Sequence, residues 1–143
     1  METLNKETKH VKYTKGYKYQ LVEDYSIQTS IKPYKDMELK FISLSKDGLL
    51  TIKAGYASDG PSGPTIDTKN SIRGAFVHDA LYQLIRQRCL PKSVRPQCDE
   101  LAYRIWIEDG MYKWRAKLWK RELGKFAGYA ADPKNAKETL TAP

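Results

Sequence analysis

Histidine and cysteine are scarce, two of each in 143 residues. One histidine, His10, lies in a polar, lysine-rich N-terminal stretch, which excludes a multi-histidine metal phosphohydrolase centre. Cys89 and Cys98 flank a proline-containing connection. They suit two reduced thiols, with a single loop-closing disulfide as the geometric alternative, and no histidine close by completes a zinc site. No run approaches the ~18 apolar residues of a membrane-spanning helix. The opening Met-Glu-Thr-Leu-Asn-Lys-Glu has no hydrophobic signal region, so export by that route is not expected. There is no internal repeat and no nucleophile elbow, since Ser62 sits in Gly60-Pro61-Ser62-Gly63 without a strand-to-helix turn.

What is present suits a folded chain with a core. Apolar residues make up 41% and charged residues 29%, and ten tyrosines and three tryptophans supply large amphipathic side chains. The net charge of +8 favours acidic partners or serves solubility alone.

Along the chain, residues 1–15 read as a flexible arm or the lead-in to a strand, 16–130 as one α+β domain, and 131–143 as a disordered polar tail. Tyr17–Val22 and Tyr25–Ile31 alternate as strands do, with Glu23-Asp24 as a tight connection. Glu38–Leu44 and Leu49–Ala54 form two more strands, joined by Ser45-Lys46-Asp47-Gly48, whose Asp-Gly pair signals a hairpin. The first 55 residues thus predict a small antiparallel sheet. Gly55–Asp67 is a Gly/Pro loop that admits neither helix nor continuous strand. Three helices follow: about Ser71–Arg88, one opening at Gln97-Cys98-Asp99-Glu100 and ending near Gly110, and about Met111–Gly128. Strands, loop and helices in that order predict helices layered on one side of the sheet.

The first helix carries the unusual chemistry, Val77-His78-Asp79-Ala80-Leu81-Tyr82. Residues four apart share a helix face, so Tyr82 stands over His78, while Asp79 is turned away by about 100°. Two helices joined by a short connection run antiparallel, which brings Asp99 toward His78. A carboxylate on one imidazole nitrogen fixes the tautomer and frees the other nitrogen as a base. Asp79 can meet a hard cation, with the carbonyls of the glycine-rich loop as further oxygens. The competing expectation is a buried His-Asp-Tyr knot that locks the packing and does no chemistry. Asp59 reads either as a turn carboxylate or as a second cation ligand.

His-Asp-x-x-Tyr on a helix, after a Gly/Pro loop and before an aspartate on an antiparallel helix, resembles the phospholipase A2 constellation over about 45 residues, Gly55 to Asp99. That resemblance implies hydrolysis of a lipid ester. His78 would be the base, with Asp99 and Tyr82 as its support. Asp79 would bind calcium, with Gly60 and Gly63 as carbonyl donors and Asp59 as a further candidate.

A second resemblance spans roughly residues 38 to 128. Gly55, Tyr56, Ser58, Asp59, Gly60 and Ser62, then His78, Asp79, Leu81, Tyr82 and Asp99, then Trp114, Arg115, Phe126 and Gly128, look like the bacteriophage-associated domain-of-unknown-function family 1353. The loop departs from that pattern at Gly63-Pro64. This resemblance implies a phage or prophage origin, hence the host cytoplasm or the virion, and other phage proteins as partners. It implies no activity, so a virion, tail or assembly role stands beside the esterase.

The third helix carries Trp114, Leu118, Phe126 and Ala127, with Lys113, Arg115, Lys117, Lys120, Arg121 and Lys125 between them. It reads as a solvated face, or as a contact for an anionic lipid surface, with Trp114 and Trp119 as interfacial side chains. A contact with a viral protein or nucleic acid is the third reading. Nucleic acid ranks last, because no nucleic-acid-binding signature accompanies the charge.

Overall fold

The computed structural model describes residues 10–11, 13–14, 19–58 and 69–131, with 13–14 and 124–131 described by backbone alone. The architecture is α+β: two small antiparallel sheets, then three helices. The chain divides into two compact units after Ser58, the strands belonging to the first and the helices to the second. Among the described residues, no helix is long and apolar enough to cross a membrane.

The strands are β1 (Tyr13–Thr14), β2 (Tyr19–Leu21), β3 (Tyr25–Gln28), β4 (Met37–Glu38), β5 (Ile42–Leu44), β6 (Leu49–Ile52) and β7 (Ala57–Ser58). The larger sheet runs β3-β6-β5-β4. Its register sets Tyr25 opposite Ile52, Ile27 opposite Leu50, and Ile42 and Leu44 opposite Ile52 and Leu50. Alternation along each strand therefore puts these apolar side chains on one buried face. Ser26 and Thr51, paired across the other face, share a hydroxyl hydrogen bond of 3.0 Å.

The Asp-Gly hairpin forms as its sequence predicts. Gly48 adopts φ +92°, and its N–H donates to the Ser45 carbonyl at 2.9 Å. The expected run Glu38–Leu44 instead breaks in two. Its apolar alternation slips phase between Phe41 and Ile42, and the Leu39 N–H reaches the Ile42 carbonyl at 2.7 Å, closing the turn that pairs Met37 with Leu44.

The strands expected to flank Glu23-Asp24 do not pair with each other. The smaller sheet has the order β1-β2-β7, so β2 belongs there while β3 belongs to the larger one. Glu23-Asp24 is the crossing between sheets, and the Asp24 carboxylate accepts the Ala54 N–H at 2.8 Å. The Tyr13–Thr14 segment, read as arm or lead-in, pairs with β2. Residues 1–9, 12 and 15 of the expected arm, 132–143 of the expected tail and 59–67 of the Gly/Pro loop lie outside the described residues.

The helices are α1 (Lys69–Arg86), α2 (Arg95–Glu108, after a 3-10 turn at Lys92–Val94) and α3 (Lys113–Ala131). Helix α1 ends in paired capping bonds, Cys89 N–H to the Leu84 carbonyl at 2.8 Å and Arg88 N–H to Ile85 at 3.0 Å. Arg88 takes the left-handed conformation this cap needs, φ 64°. Two contacts join α1 to α2 beside the site. Gly74 lies against the Trp106 indole, which donates to the Ser71 carbonyl at 3.1 Å. Arg73, 3% exposed, grips the Asp109 carboxylate through Nε and Nη2 at 2.9–3.2 Å and reaches Glu108 at 2.5 Å. Helices α2 and α3 share a core of Ala102, Trp106, Met111, Ala116 and Trp119, with the two indoles edge to face at 5.4 Å.

Candidate functional site: a histidine, an aspartate and a tyrosine on two helices

Gly74, His78 and Tyr82 are spaced by four along α1 and form one seam toward α2. Backbone spacing stacks the His78 and Tyr82 rings, with centroids 4.1 Å apart and planes inclined by 26°. Asp99, in the second turn of α2, takes both: His78 Nε2 lies 2.7 Å from its Oδ1, and the Tyr82 hydroxyl donates to the same oxygen at 2.7 Å. The three expected site residues are thus brought together.

Burial alone raises the Asp99 carboxyl. The hydrogen bonds from His78 and Tyr82, with the positive charge of His78 and Arg95, outweigh that and hold it below the usual carboxylate range. Asp99 is therefore ionised near neutral pH and can only accept, so Nε2 carries a proton. In the neutral ring Nδ1 is then a lone-pair acceptor. No described residue hydrogen-bonds Nδ1. Burial, then the hydrogen bond and charge of Asp99, raise Tyr82 well above an ordinary phenol, against a smaller opposing effect of Arg95. Its hydroxyl stays a neutral donor.

Arg95 is the residue that the sequence reading passed over. It stands four residues before Asp99, so the i, i+4 spacing that joined His78 to Tyr82 also marked it as a neighbour of the carboxylate.

The expected calcium set is only partly on view. Asp79 is half-buried and engaged in interactions of its own. Asp59, Gly60 and Gly63 lie outside the described residues. Among the described residues, no three histidine, cysteine or acidic side chains gather around one point.

Both cysteines are free thiols. Cys98, fully buried, is pushed up to about 12, first by burial and then by the charge of Asp99. Cys89 is half-buried. A disulfide reagent at pH 8 is therefore expected to modify one thiol per native chain, at Cys89, and a second only in denaturant. Two fast-reacting thiols in the native protein would contradict the buried placement of Cys98.

Trp114 and Trp119, taken together as interfacial side chains from sequence, are placed differently. Trp119 is 5% exposed, within the α2–α3 core, with the Arg115 guanidinium 4.7 Å from its ring. Trp114 is 67% exposed.

No family model, no curated protein and no solved structure matches this chain.

Proposed function

We propose that the chain is a phage-encoded, phospholipase A2-like lipid esterase with His78 as its general base. One observation carries this reading: Asp99 holds Nε2, and Nδ1 has no hydrogen-bond partner among the described residues. That is the arrangement a water-activating imidazole needs. Nδ1 takes a proton from water as the water oxygen attacks the ester carbonyl carbon. The imidazolium, stabilised by ionised Asp99, then gives the proton to the leaving alkoxide as the ester C–O bond breaks. A fatty acid and an alcohol result, and no proton or electron is left over. Tyr82 fixes the Asp99 oxygen and thereby the ring. A calcium ion at Asp79, with Asp59, Gly60 and Gly63, would supply positive charge for the carbonyl oxygen.

The test is release of fatty acid from phosphatidylglycerol vesicles, with calcium present, by the wild-type chain and by His78→Ala. Turnover by wild type and none by a folded His78→Ala chain is expected. A calorimetric calcium titration of wild type and Asp79→Asn checks the metal. Heat in wild type and none in the variant is expected, and no heat in either removes calcium from the reading.

A second reading is favoured by the burial of His78, which is 4% exposed. In it the chain is a non-enzymatic virion, tail or assembly protein contacting other phage proteins, in the virion or the host cytoplasm. The His-Asp-Tyr network then only locks α1 to α2. A wild-type chain without turnover, whose His78→Ala form fails to fold, is the result that selects it.

A further inference from the structure

We propose that the outward face of α3 docks the protein on an anionic lipid bilayer. Trp114, Lys117, Leu118 and Arg121 follow one another at helical spacing on a single face, opposite the buried Ala116 and Trp119. Trp114 is 67% and Leu118 40% exposed, and Tyr112, just before the helix, is 73% exposed. Lys113, Lys117 and Arg121 are all exposed, and the ion pairs among the described residues involve other cations. Lys113 and Lys120, seven residues apart, flank this face on one side; Lys113 is exposed, whereas Lys120 is held by Glu100 at 2.6 Å. The acidic neighbours do not cancel the charge, for Glu108 is held by Arg73 and Glu122 is half-buried and engaged.

The chemistry of the patch selects its occupant. Indole and phenol rings settle at the headgroup level, where an apolar body and a polar edge are both satisfied. Lysines beside them gain from anionic headgroups, whereas protein interfaces are depleted of lysine. The other side of α3 is committed to α2, so the helix lies on the surface and does not sink into it. The inference does not rest on the esterase reading, because none of these residues belongs to the His78 site.

The experiment is binding of the full chain to vesicles of equimolar phosphatidylcholine and phosphatidylglycerol, and to phosphatidylcholine alone, by co-sedimentation without calcium. Each cation near an anionic surface contributes about five-fold in affinity, so three contribute about 100-fold. Wild type is expected to bind the mixed vesicles, less tightly as salt rises, and to bind phosphatidylcholine poorly. The combined Lys113→Gln, Lys117→Gln and Arg121→Gln chain is expected to lose about 100-fold. A blue shift of tryptophan emission on binding is expected in wild type and absent in Trp114→Phe. All four positions are exposed, so circular dichroism should match wild type. Failure of wild type to bind the mixed vesicles overturns the proposal, as does unchanged binding by the triple variant. Binding to duplex DNA or RNA with none to vesicles also overturns it. Because binding is read without turnover, His78→Ala should bind as wild type does, and loss of hydrolysis alone leaves the docking result standing.

Discussion

On the esterase reading proposed above, Asp99→Asn is expected to lower kcat for ester hydrolysis by about 10⁴-fold with little change in KM, the loss seen when a base-orienting carboxylate becomes an amide. The negative charge that stabilises the imidazolium disappears. An amide whose NH₂ turns toward Nε2 also donates where the carboxylate accepts, which pushes the ring proton to Nδ1 and silences the base. Tyr82→Phe keeps the charge and removes one of the two donors on Asp99 Oδ1, so its loss should be far smaller. Stability against pH gives an independent readout of the same carboxylate. Its pKa is lower in the folded chain than unfolded. It therefore contributes stability that is fully present above the unfolded value of ~3.9 and is lost as pH falls through the folded value. Wild type should lose stability in acid below about pH 4, and Asp99→Asn should lack that part of the acid dependence. A variant with wild-type turnover, or with an unchanged acid profile, contradicts the role assigned to Asp99.

The His78–Tyr82–Asp99 cluster was legible because each link is short-range. Spacing by four fixes His78 over Tyr82, and a brief connection fixes the antiparallel return that delivers Asp99. The hairpin at Asp47-Gly48 was legible for the same reason. Pairing between distant strands was not. β2 joins β7 across more than 30 residues of chain, and no local pattern says that Tyr19 faces Ser58 while Tyr25 faces Ile52. The Arg73–Asp109 grip spans 36 residues and looks, in sequence, like two unrelated charges. Trp114 and Trp119 are alike as residue types, and only helical phase separates them: Trp119 falls with Ala116 and Leu123, Trp114 with the lysines.

Gly74→Ala is expected to destabilise the helical unit by about 2–4 kcal/mol, and Gly74→Leu to prevent its folding. A glycine inside a helix normally costs about 1 kcal/mol relative to alanine, so a substitution there should help. Here a methyl group would overlap the Trp106 indole. The ring cannot yield easily, being 1% exposed and held by Trp119, Met111, Ala102 and its hydrogen bond to the Ser71 carbonyl. Overpacking of about 1–3 kcal/mol, and a buried indole N–H left without its acceptor at about 1–3 kcal/mol, together outweigh the gain in helix propensity. Gly74 stands one turn before His78 on the same seam, so parting the helices there also lengthens the imidazole–carboxylate link. Stability by urea unfolding should therefore fall in Gly74→Ala, and on the esterase reading turnover should fall with it. Adding Trp106→Phe, which frees space and removes the donor, should recover part of the stability lost and show a coupling between the two positions. Full wild-type stability in Gly74→Ala alone, or strict additivity with Trp106→Phe, would mean that the close approach of α1 and α2 is not what holds the site together.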